Sequence, residues 1–147
     1  MAVLPIITGA DNPLLRKKTK PLKEVTKKIL TLIKNMEVTM KKAQGVGLAA
    51  PQVGENLRIC IAMIDGKLTA LISPEITKRS KEKVIGEEGC LSLPGIYLEI
   101  PRSVEISVTF LNTKGKKQER TLKDFDARVV QHEVDHLEGM LIVDYSK

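Results

Sequence analysis

The chain has two histidines, His132 and His136, and they lie four residues apart around Glu133. On an α-helix that spacing separates side chains by only about 40° in direction and ~6 Å in height. Both imidazoles can then reach one metal ion, with Glu133 beside them to act on a bound water. The same five residues could also be two surface histidines on a helix. A catalytic metal needs a third protein ligand and an open position. No third histidine exists, and Glu138 follows too closely and on the wrong side of the helix. Cys90 remains, in Gly86-Glu87-Glu88-Gly89-Cys90-Leu91-Ser92, flanked by glycine and outside any apolar periodicity. That setting suits a sulfur presented by a turn. A thiolate with two neutral imidazoles leaves a divalent cation net positive, able to acidify water and polarise a carbonyl.

A third segment, Gly45-Val46-Gly47-Leu48-Ala49-Ala50-Pro51-Gln52, is rich in small residues that admit close backbone approach. As a phosphate loop it lacks the Lys-Ser/Thr ending and follows a helix where a strand is required. A helix cap and turn explains it more simply. Gln52 brings a side-chain amide that could hold an oxyanion.

The elements that must position these residues follow from periodicity. Asp11 to Arg16 reads as a capped short helix with Pro13 in its first turn. From Glu24 to Ala43, apolar residues at Val25, Ile29, Leu32, Ile33, Met36, Met40 and Ala43 mark one face of a long helix ended by Gly45 and Gly47. Arg58 to Ile64 reads as a buried strand, Asp65-Gly66 as a turn, and Leu68 to Ser73 as the returning strand. Cys60 inside that run is expected to be a small core residue. Val104 to Leu111 and Lys117 to Leu122 form a second hairpin about Asn112 to Gly115. Asp124 is expected to cap a last helix that runs through Glu138 and stops at Gly139. The predicted fold is α+β, with antiparallel strands around a central His-Glu-x-x-His helix and one long N-terminal helix, all in a single domain over 1–147.

Bulk properties set the class. A chain of 147 residues that is 42% hydrophobic and 29% charged reads as an ordinary folded domain. Aromatics are only 3% and Trp is absent, so the core must be aliphatic. The net charge of +6 and pI near 9.3 are spread over helices and turns without interleaved aromatics, which argues against a dedicated RNA-binding surface. Two cysteines make no disulfide framework. Met1 to Ile7 is too short for a signal peptide, and no apolar run reaches membrane length. The expectation is a cytoplasmic, reduced protein.

The three motifs in this order resemble the peptide deformylase family: Gly-Val-Gly-Leu-Ala-Ala-Pro-Gln, Glu-Gly-Cys-Leu-Ser and Gln-His-Glu-x-Asp-His. The similarity runs from Pro13-Leu14-Leu15-Arg16 to Val143-Asp144-Tyr145. It implies a metal-dependent hydrolase that removes the formyl group from N-formylmethionine on nascent polypeptides. By resemblance Cys90, His132 and His136 bind one divalent metal, iron(II) natively, with zinc, nickel or cobalt able to replace it. Glu133 shuttles the proton from attacking water to leaving amine. The Gln52 amide and the Leu91 backbone N–H hold the oxyanion. Gly47 lets an extended substrate lie against its loop. Val46, Phe125 and Val129 line the methionine pocket. Glu88 and Arg102 pair behind the site and orient the cysteine turn. Arg128 departs from the aliphatic residue the family often has, and is expected at the pocket mouth with its charge in water, or on the outer face. Many bacterial members continue past the Asp-Tyr with a basic helix that docks on the ribosome. The chain given stops at Lys147, so the expectation is weak, salt-sensitive ribosome contact through scattered lysines. Two other classes share the ingredients. A zinc endopeptidase would need a long groove and a third His or Glu ligand. A metal-stapled binding module would need a fourth ligand.

Overall fold

A computed structural model describes residues 2–146. The architecture is mixed α/β with antiparallel sheets. Strands β1 (Gly47–Ala49), β2 (Ile59–Ile64), β3 (Lys67–Arg79), β6 (Glu105–Leu111) and β7 (Lys117–Lys123) form one sheet in the order β1-β2-β3-β6-β7. Strands β4 (Lys83–Cys90) and β5 (Leu93–Ser103) form a separate two-stranded sheet. Helices α1 (Lys27–Lys42) and α2 (Asp124–Leu137) cover the large sheet.

Strand β2 explains how. Successive side chains point to opposite faces of a sheet. Ile59 and Ile61 pack with Ile29, Ile33, Met36 and Met40 of α1. Cys60, Ala62 and Ile64 pack with Ala127, Val130, Val134 and Leu137 of α2. Both faces are covered, so the strand is apolar throughout instead of alternating. Cys60 is fully buried in this core, as its surroundings in the sequence predict. Each fully buried aliphatic side chain of this kind stabilises the fold by about 1.5–3 kcal/mol.

Several boundaries differ from the expected ones. Helix α1 begins at Lys27, three residues late, because Thr26 caps it by accepting the Ile29 N–H. It ends through Ala43 and a left-handed Gln44, while Gly47 belongs to β1. Asp124 is the first residue of α2, with Lys123 in the cap position and no capping side-chain bond. Asp11 to Arg16 contains a single 3-10 turn, Pro13–Leu15, capped by Asn12. Strand β3 continues past Ser73 to pair with β6. The Asp65-Gly66 turn has both residues at positive φ, as a two-residue hairpin requires.

The β4–β5 hairpin is absent from the sequence reading. Its residues are mostly exposed, so they carry little apolar alternation. It is fixed by Leu93 and Ile100, which pack with Leu15, Leu141 and Ile142 from the two ends of the chain.

Candidate active site

Helix α2 presents His132, Glu133 and His136 toward the tip of the hairpin. Cys90 is the last residue of β4, followed by a turn at Leu91-Ser92. It is thus held by a strand end and not by the turn itself, which corrects the sequence reading. Its Sγ lies 3.3 Å from His136 Nε2. One ligand atom from each of Cys90, His132 and His136 lies within 4.8 Å of the others.

A cavity of ≈ 320 Å³ opens beside this cluster. Cys90, His132 and Glu133 are on its wall, as are Gln52, Leu91, Val46, Gly47, Phe125 and Val129. His136 lies beneath, 2% exposed. Val46 and Phe125 are exposed at the rim, whereas Val129 is buried.

Gln52 is locked. Its Oε1 accepts the Ala49 N–H at 3.0 Å, which turns the amide N–H groups toward the hairpin. Nε2 donates to Ser92 Oγ at 3.1 Å and lies 3.8 Å from Cys90 Sγ. From behind, Ile7 N–H donates to the Gln52 carbonyl at 2.7 Å and Gly9 N–H to the Ser92 carbonyl at 3.0 Å. The N-terminal segment thereby joins the two backbones that flank the cluster. Ser92 closes the Glu-Gly-Cys-Leu-Ser motif, but nothing in the sequence pattern marked its bond to Gln52 or this strap.

Behind the histidines lies a buried ion network. Arg102 forks onto Glu88, with Nε to Oε2 and Nη2 to Oε1 both at 2.8 Å, and its Nη1 reaches Asp135 at 2.6 Å. Tyr145 donates to the same Asp135 oxygen at 2.6 Å. The expected Glu88–Arg102 pair is present and nearly excluded from water. It contacts a histidine, however, and not the cysteine turn: Glu88 Oε1 bonds His132 Nδ1 at 2.9 Å. Such a bond fixes the ring and leaves Nε2 for a ligand. Arg128 also differs from expectation. It lines the cavity, as expected, but its charge is not left to water: it ion-pairs with Glu88 Oε2 at 2.6 Å. Asp135, the polar residue before the second histidine in His-Glu-x-Asp-His, is the signal in the sequence for this buried partner of Arg102.

Anionic groups converge on His132, where Glu88 bonds the ring and Glu133 and Cys90 lie beside it. Burial alone would raise the Glu88 carboxyl, but the bonds and charges of Arg102 and His132 bring it down to about 2. Burial opposes a charge on His132, yet hydrogen bonds to Cys90 and Glu88 with the nearby Glu133 raise it to about 10. Burial keeps His136 neutral, well below its usual value. Burial pushes Glu133 up to about 7, against the pull of His132 and Arg102. Glu133 Oε1 and His136 Nδ1 are buried without a hydrogen-bond partner among the described residues. Sulfur, two imidazoles and, on the cavity wall, a glutamate with an unpartnered buried oxygen fit a divalent metal with water beside it.

A His-Glu-x-x-His helix whose histidines meet a cysteine sulfur at a cavity defines the class: a candidate mononuclear metal site of the hydrolase type. The family model for polypeptide deformylase matches residues 3–147, and the chain belongs to that family. It is 47% identical over 133 residues to the peptide deformylase of Pseudothermotoga lettingae, covering 90% of this chain and 77% of the relative. It is 48% identical over 146 residues to that of Halothermothrix orenii, covering 98% and 94%. Among solved structures, peptide deformylase from Thermotoga maritima superposes with a TM-score of 0.95 at 42% identity, covering 99% of this chain and 98% of the other. A Met-Ala-Ser-bound class I type b peptide deformylase from Acinetobacter baumannii gives 0.94 at 32% identity, covering 98% of each.

Proposed function

We propose that this chain removes the formyl group from N-formylmethionine at the N-terminus of nascent polypeptides and releases formate, using one divalent metal held by Cys90, His132 and His136. The convergence of those three side chains at a cavity beside Glu133 carries the reading. Helix α2 is its central metal-binding element. A metal bound there supplies a Lewis acid that polarises the formyl oxygen and acidifies water.

The chain's own groups do the rest. Glu133, with its free Oε1 and a carboxyl titrating near neutrality, takes a proton from the attacking water. It then delivers that proton to the leaving amine as the C–N bond breaks. The Gln52 amide, held by Ala49 and Ser92, donates to the developing oxyanion, together with the Leu91 backbone N–H. Val46, Phe125 and Val129 receive the methionine side chain, and Gly47 leaves room for the substrate backbone.

The donor set suits iron(II), zinc, nickel or cobalt, and we assign iron(II) as the native metal. No helix among the described residues is long and apolar enough to cross a membrane. We place the enzyme in the cytoplasm, meeting ribosomes weakly through scattered lysines. The test is direct. Purified protein given a formyl-Met tripeptide should release formate, a strong chelator should abolish this, and iron(II) or nickel should restore it. Full activity in metal-free protein would overturn the reading.

A further inference from the structure

The three candidate ligands come from two separate elements. His132 and His136 are on α2, and Cys90 ends β4. The site therefore depends on how firmly the hairpin is held against the helix. Arg128 lies one turn before His132 and reaches across that gap. Its Nη1 donates to Glu88 Oε2 at 2.6 Å and to the Ile100 carbonyl at 3.0 Å, and its Nη2 to the Val84 carbonyl at 2.7 Å. One side chain thus grips β4 twice and β5 once. Gly86 makes the seat, since a Cβ there would lie 3.0 Å from the guanidinium carbon and 3.1 Å from Nη2. The other oxygen of Glu88 holds His132. The path Arg128–Glu88–His132 therefore starts and ends on α2 and passes through β4, two residues before Cys90.

Arg128 could instead be a handle for a substrate carboxylate. The geometry speaks against that. The side chain is 12% exposed, and these three hydrogen bonds go to acceptors of the protein. It also balances charge, adding a second guanidinium where Glu88 and Asp135 share Arg102.

We propose that Arg128 is a positioning residue for the metal site, clamping β4 and its terminal Cys90 against the two histidines of α2 through Glu88. This rests on the reading of Cys90, His132 and His136 as metal ligands. Charge by itself predicts the opposite effect on binding: loss of a nearby cation would tighten a divalent metal. A weakening therefore reports geometry. Arg102, which ties the hairpin to Asp135 independently, should keep the fold intact when Arg128 is changed.

The experiment is cobalt(II) titration of metal-free protein against a competing chelator, read by the visible ligand-field bands and the thiolate charge-transfer band. Arg128→Met and Arg128→Lys should each weaken binding by about 10-fold or more, the usual scale for groups behind a metal ligand. Both should lose metal to chelator faster, while the metal-free proteins melt near the wild-type temperature. Gly86→Ala should weaken binding less, by displacing the guanidinium, and should add nothing on top of Arg128→Met. Equal or tighter binding in Arg128→Met, or wild-type binding in Arg128→Lys, would overturn the proposal. Should Arg128→Met fail to fold, unchanged binding in Gly86→Ala would overturn it alone. A wild-type protein that takes up no cobalt would remove the metal reading and this proposal together.

Discussion

Gly47 and Glu133 are in contact that only glycine permits: a Cβ on Gly47 would lie 2.5 Å from Glu133 Oε2. The end strand of the large sheet and the helix beneath it approach this closely at the catalytic candidate and its cavity. Gly47→Ala must move the carboxylate or the strand. The expected outcome is a fall in kcat of at least about 100-fold, the scale of a 1 Å misplacement, with metal content unchanged. Wild-type turnover in Gly47→Ala would show that the Glu133 position is not critical.

Glu133→Gln should retain one metal per chain and lose turnover. The substitution keeps the volume of a side chain that is 4% exposed, and removes only the proton acceptor. Metal analysis beside formate release checks this. A parallel loss of metal would make Glu133 structural.

Gln52→Leu should lower kcat with little change in KM, because an oxyanion donor acts mainly in the transition state. One lost donor of this kind costs about 3–4 kcal/mol in other hydrolases. Ser92 Oγ would lose its partner as well, so a stability measurement is needed beside the kinetics. Unchanged kcat would remove Gln52 from the oxyanion site.

Tyr145 should titrate late. Burial, then its hydrogen bond to Asp135 and the Asp135 charge, raise the phenol to about 12 against the opposing Arg102. The unfolded value is about 10. A group raised on folding contributes stability that is fully present below about 10 and is lost as pH rises through about 12. Thermal melts should show wild type more stable than Tyr145→Phe at neutral pH, with the gap closing in strong alkali. Phenolate absorbance should show one tyrosine fewer ionising near 12 in the variant. A gap that persists at high pH would assign the difference to packing alone.

Local features of the sequence reached far into this molecule. The stripe from Ile29 to Met40, the Asp65-Gly66 turn and the run about Cys60 each encode their structure within a few residues, through periodicity, turn conformation and burial. The spacing of His132, Glu133 and His136 does the same for half of the site, because a helix converts sequence spacing directly into direction. Cys90 was legible only as a ligand type. That it ends a strand 3.3 Å from His136 depends on a hairpin whose exposed residues carry no strong pattern and which is fixed by both chain ends. Of the partners of Glu88, Arg102 came only from the family resemblance, and Arg128 and His132, 40 and 44 residues away, were beyond reach. Charge and hydrogen-bond complementarity act through space, so tertiary packing alone decided which of many Lys, Arg, Asp and Glu side chains would meet. It placed Arg128 inside that network, where its type and position in the sequence pointed to solvent.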